Sequence, residues 1–74
     1  MHVEVRLFAT LREGRFKTRR FEVPSPCRVR DLLKHAAIPA KKVHLRLVNG
    51  ESSSLDRELA DQDVVSLFPA VGGG

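Results

Sequence analysis

The sequence predicts an α+β domain in which a mixed sheet of four to five strands carries one main helix on one face. Two observations lead there. Four stretches alternate apolar and polar residues with the period of a strand, and only one, Val29 to Ala37, repeats with the period of a helix. A sheet and a single helix each have one apolar face, and packing the two together hides both.

The first strand holds Val3, Val5 and Leu7 on its inner face, with His2, Glu4, Arg6 and Phe8 between them. Ala9 to Phe16 contains Gly14 and several charges, which suits a hairpin loop. Thr18 to Val23 forms the second strand, with Phe21 and Val23 inward. Pro24 and Pro26 stop it, because proline cannot donate to a ladder. Val29, Leu32, Leu33, Ala36 and Ala37 then make one stripe of an amphipathic helix. Asp31 falls in its first turn, where the helix dipole favours a negative charge. Ile38-Pro39 ends it, since the residue before proline avoids the helical region.

Val43, Leu45 and Leu47 form the inner face of a third strand, and His44, Arg46 and Val48 its outer face. Asn49-Gly50 is the favoured pair for a tight hairpin turn. Glu51 to Ser54 suits a short polar edge strand. Leu55 and Leu59 anchor a turn of irregular helix. Asp61-Gln62-Asp63 turns into the last strand, where Val65 and Leu67 face inward. Strands 1 and 2 form a hairpin, and the helix crosses from strand 2 to strand 3. This order resembles the ubiquitin-like β-grasp fold. No internal repeat or low-complexity segment competes with it.

Seventy-four residues, 42% of them apolar, make one domain with a small core. Such a chain buries only about 60% of the surface its unfolded form exposes. It has no room for a deep cleft, which argues for a module that works with partners rather than a self-contained enzyme. The single cysteine, Cys27, excludes an intramolecular disulfide and a Cys-rich zinc site. No basic-then-apolar leader opens the sequence, and no apolar run nears the length of a membrane span. A cytoplasmic protein is the expectation.

The net charge is +4, with basic residues gathered in 12–20 and 28–42. That balance is compatible with nucleic acid or an acidic protein surface, but a solvated surface is the simpler reading. Nucleic acid is disfavoured, because none of the four phenylalanines sits in an RNA-binding motif.

The sequence closes on Val71-Gly72-Gly73-Gly74. Glycines have no side chain to pack and lose the most backbone entropy on ordering. Residues 72–74 are therefore expected to be a flexible tail on a domain spanning 1–71, presenting a carboxylate on a thin tether. Beside the tail, the outward residues of strands 1, 3 and 5 are expected to form a docking face of Arg6, Phe8, Arg46, Val48 and Phe68, continued by Pro69 and Val71.

Five segments carry a family resemblance: Leu7-Phe8-Ala9-Thr10-Leu11-Arg12-Glu13, Val29-Arg30-Asp31-Leu32-Leu33, Val48-Asn49-Gly50, Asp63-Val64-Val65 and Phe68-Pro69-Ala70-Val71-Gly72-Gly73-Gly74. Together they resemble the MoaD/ThiS sulfur carriers, a group that includes the small subunit of molybdopterin synthase and the sulfur carrier of thiamine thiazole synthesis. Two positions depart from that pattern: Gln62 stands where the family often has Gly, and Arg28 where it has Thr or Ser. The resemblance implies that an E1-like enzyme adenylates the Gly74 carboxylate with ATP, and that a sulfur donor then displaces AMP to leave a thiocarboxylate. It implies a carrier with no bound cofactor, handing sulfur to a synthase.

The first block and Phe68-Pro69 point to molybdenum or tungsten pterin synthesis. Thiazole or amino-acid synthesis stays open, as does a ubiquitin-like modifier joined to lysines. Cys27 has no activating base nearby in sequence and is read as structural. His2, His35 and His44 lack metal-ligand spacing and are read as surface residues. Arg19-Arg20 is read as an exposed strand face.

Overall fold

The computed structural model describes residues 1–70; Val71, Gly72, Gly73 and Gly74 lie outside the described residues. The elements are β1 (His2–Leu7), β2 (Thr18–Glu22), α1 (Val29–His35), β3 (Val43–Val48), β4 (Glu51–Ser52) and β5 (Val64–Pro69), with 3-10 turns at Ala9–Arg12 and Ala40–Lys42. The strands form one mixed sheet in the order β2-β1-β5-β3-β4. β1 pairs antiparallel with β2 and parallel with β5, and β3 pairs antiparallel with β5 and β4. This is the expected β-grasp arrangement.

One face of the sheet is packed against the helix. Val3, Val5, Leu7, Val65 and Leu67 supply it from the central strands, and Val29, Leu32 and Leu33 from α1. Leu11, read from the sequence as part of an open loop, is buried too, because the 3-10 turn folds it back under the sheet end.

The third strand departs from the expected parity. The β3–β5 register slips between Val43, opposite Pro69, and Leu45, opposite Phe68. His44 is the extra residue, and such a bulge turns every later side chain to the other face. Val43 is still buried, but Val48 is also fully buried at 0% exposure, while Leu45 is 39% exposed. Arg46 stands opposite Leu67 and shares its face.

The helix ends earlier than its apolar stripe suggested. The Ile38 N–H donates to the Leu33 carbonyl at 2.9 Å and the Ala37 N–H to the Lys34 carbonyl at 3.1 Å. With Ala37 at φ +57°, this is a Schellman close, and Ala37 is exposed rather than buried. At the other end Arg28 has no acceptor to offer as an N-cap. Asp31 compensates, its carboxylate accepting from the Arg28 N–H at 2.9 Å.

Residues 53–63 contain no helix, contrary to expectation. Leu55 and Leu59 do anchor the segment, but as an irregular strap. The Val29 N–H donates to the Arg57 carbonyl and the Leu59 N–H to the Cys27 carbonyl, so backbone bonds to the helix entrance replace helical ones.

The Asn49-Gly50 turn has φ +51° and +84°, as a primed hairpin turn requires. The Asn49 side chain also accepts from the Val64 N–H at 2.9 Å and donates to Asp63 at 2.8 Å. The other Asp63 oxygen accepts from the Ala60 N–H at 2.8 Å, so this carboxylate, only 8% exposed, is fully engaged.

Next to it, Gln62 sits at φ +72°, which explains the glycine common in the family there. Left-handed backbone costs a residue with a Cβ about 1 kcal/mol, and glycine gives back about half of that as chain entropy. Gln62→Gly is expected to raise stability by about 0.5 kcal/mol; an unchanged or lower urea midpoint would contradict this.

Candidate functional site

β5 is the central strand and β1 its parallel neighbour, so both run toward the same end of the sheet. The parallel register sets Arg6 beside Ser66, and inward Leu7 beside Leu67. Their outer residues therefore line up on the face away from the helix. Phe8 and Phe68 meet there as a stacked pair, with ring centroids 4.3 Å apart and planes 9° from parallel. The Arg12 guanidinium lies 5.4 Å from the Phe8 ring, and its Nε donates to the Leu7 carbonyl at 2.7 Å. The ring is thus held from one side by Phe68 and from another by a cation fixed to the strand end.

Leu45, opposite Phe68, and Leu47, opposite Ser66, extend this patch across β3. Arg6 borders it, paired with Glu4 at 2.5 Å. None of the described helices covers this face. A contiguous apolar area with a charged rim is the usual form of a protein-docking surface.

Of the residues expected here, Arg6, Phe8 and Phe68 are brought together. Arg46 and Val48 are not: the bulge at His44 turns both to the other face. Val48 is core, and Arg46 donates to the Ser53 carbonyl at 3.1 Å. Pro69 ends β5 opposite Val43, half-buried beside the point where the chain leaves the sheet. Val71, Gly72, Gly73 and Gly74 lie outside the described residues. Sequence reading missed Leu45, Leu47 and Arg12. The apolar pair Leu47-Val48 was the available sign that either parity could hold. Arg12 was signalled by its place four residues after Phe8.

Cys27 is 1% exposed, and burial, followed by the nearby Asp31 charge, pushes its thiol pKa up. It holds little thiolate at neutral pH, so it is a poor nucleophile. Among the described residues no group of three His, Cys, Asp or Glu side chains could hold a metal, and no helix is long and apolar enough to cross a membrane.

With this geometry in hand, comparison with known proteins gives a consistent picture. No curated protein sequence matches the chain. Among solved structures, SAMP1 from Haloferax volcanii is similar at 31% identity and TM-score 0.81, over 100% of both chains. A candidate molybdopterin converting factor subunit 1 from Pyrococcus furiosus is similar at 31% identity and TM-score 0.79, over 96% of this chain and 99% of that one. Subunit 1 in the Helicobacter pylori complex of molybdopterin-converting factor subunits 1 and 2 is similar at 27% identity and TM-score 0.64, over 100% of both chains. The ThiS family pattern matches residues 5–74. The motif resemblance and the β-grasp fold thus agree with an independent match over nearly the whole sequence, and the chain belongs to the ThiS family.

Proposed function

We infer that this protein is a sulfur carrier whose Gly74 carboxylate is adenylated by an E1-like enzyme and converted to a thiocarboxylate. The observation that carries the reading is the family match through residue 74, which takes in the glycine tail as well as the domain. A carboxylate is a poor acyl donor, and adenylation gives it a good leaving group. Glycine has no Cβ to obstruct attack at its carbonyl, and Gly72 and Gly73 let the backbone enter a narrow channel. The protein is not itself an enzyme on this reading. It binds no cofactor; ATP is consumed by the activating enzyme in the cytoplasm.

Molybdenum or tungsten pterin synthesis is the favoured destination of the sulfur. Support comes from Leu7 to Glu13, from Phe68-Pro69, and from two similar structures that carry the molybdopterin converting factor name. The large synthase subunit is then the acceptor, docking on the Phe8–Phe68 face. A second reading has its own support: SAMP1 is a small archaeal modifier protein, so attachment of Gly74 to lysines is the alternative.

One experiment separates them. The purified protein is incubated with its E1-like enzyme, ATP and a sulfur donor, and its intact mass is measured. The expected product gains the mass of one oxygen exchanged for sulfur, confined to the C-terminal peptide. Cys27→Ser is expected to gain it equally. Loss of loading in a folded Cys27→Ser would move the chemistry to the thiol, and conjugates to lysine alone would make the protein a modifier.

A further inference from the structure

A basic part of the described surface lies where the chain leaves β5. An open groove of about 980 Å³ runs between the β1–β2 connection and the end of α1. Arg15 and Arg19 line it from the β1–β2 side and Lys41 and Lys42 from the turn after α1, and Pro69 and Ala70 line it too. Among the described residues, Glu13 is the one carboxylate lining it. None of the four cations has a carboxylate within salt-bridge distance among the described residues.

Three features select the occupant. The groove is open and its cations are mostly exposed, so it cannot enclose a small ligand to the 70–90% that such sites reach. Its aromatic residue is not free to stack on bases: Phe16 packs on Phe21 at 5.6 Å, and the Arg19 guanidinium lies over both rings. That disfavours single-stranded nucleic acid, which relies on exposed stacking platforms. Position matters most. Residues 71–74 span at most about 14 Å, so any enzyme working at Gly74 stands over the groove that Ala70 borders.

We propose that this groove docks an acidic segment of the adenylating enzyme that acts on the Gly74 carboxylate. The inference rests on the carrier reading and adds to it a second contact, apart from the apolar face. Charge complementarity at this site speeds encounter and fixes the direction from which the tail is received. The apolar face supplies adhesion, and the groove supplies orientation.

The test compares two double variants that remove equal charge. R15E/K41E reverses two of the lining cations, one from each stretch of sequence, and R20E/K34E reverses two exposed cations outside the groove. Binding of each to the E1-like enzyme of the same organism is measured by calorimetry at 50 and 500 mM salt, with sulfur loading followed by mass in parallel. R15E/K41E is expected to bind at least tenfold more weakly than wild type at low salt, and to lose most of the wild-type salt dependence. R20E/K34E is expected within twofold of wild type. R15Q/K41Q, with an intermediate loss, provides the same comparison if charge reversal impairs folding. Wild-type loading and binding that R15E/K41E leaves unchanged would overturn the groove while sparing the carrier. A wild type that neither binds nor loads would overturn both. Equal losses in the two double variants would reduce the effect to net charge and also overturn the proposal, as would tighter binding of a single-stranded RNA 20-mer than of the enzyme.

Discussion

A chain extended by one alanine after Gly74 is expected to take up no sulfur, with loading falling below detection. The extension moves the terminal carboxylate by one residue and places a methyl group beside the carbonyl that must be attacked. It subtracts nothing from the molecule, so loss of loading cannot be ascribed to a missing contact. Deleting Gly74 is expected to give the same loss. Neither change is expected to move the melting temperature, because every buried side chain of the described core precedes Phe68. Intact mass and a thermal melt on each variant check both halves. Sulfur on the extended chain, with the added residue still present, would rule out the terminal carboxylate as the carrier.

The next largest effect is expected at the stacked aromatic pair. Phe68→Glu places a carboxylate at the centre of the outer apolar face and removes the ring that Phe8 rests on. Aromatic anchors at the centre of such interfaces contribute about 2 kcal/mol or more, so affinity for the activating enzyme should fall about thirtyfold or further. The cost to folding is much smaller, about 1 kcal/mol for the lost stacking, since Phe68 is only half-buried. Val48→Glu provides the contrast. It puts a charge where exposure is 0%, and is expected to unfold the domain rather than weaken docking selectively. Calorimetric titration and circular dichroism on the two variants distinguish these outcomes. An unfolded Phe68→Glu, or one that binds as wild type does, would remove the outer face from the docking scheme.

Most of the fold was legible because its signals are local. Val3-Glu4-Val5-Arg6-Leu7 alternates without exception, Asn49-Gly50 is a turn by its dihedral preferences, and the helical period belongs to α1, the one α-helix among the described residues. The helix end was misjudged because Ala36 and Ala37 fit the stripe, while the Schellman bonds that close it depend on backbone geometry. The strap was misjudged because Leu55 and Leu59 have helical spacing, yet the helix entrance takes up their backbone partners. The bulge was out of reach for a different reason. Val-His-Leu-Arg-Leu-Val satisfies both parities, and only pairing with β5 decides between them. Two of these five residues of the candidate face turned on that one residue: Arg6, Phe8 and Phe68 lie on or directly after strands with unambiguous alternation, whereas Arg46 and Val48 follow His44. The groove was visible only as two separate clusters of basic residues, and the fold brings Arg15 and Arg19 of the first together with Lys41 and Lys42 of the second.

The parallel seam between β1 and β5 bears on how the molecule comes into being. It joins residues 4–7 to residues 64–67, so the central strand and its parallel neighbour are also among the last and first parts of the domain to be synthesised. A nascent chain can form the β1–β2 hairpin early, but the sheet has a missing middle until β5 arrives, and closure over such sequence distance is slow. Products that stop before residue 64 leave strand edges open on both sides of the gap, which marks them for aggregation or proteolysis. Folding therefore acts as a test of completeness. A domain that has closed has been translated at least through its last strand, to within a few residues of Gly72-Gly73-Gly74.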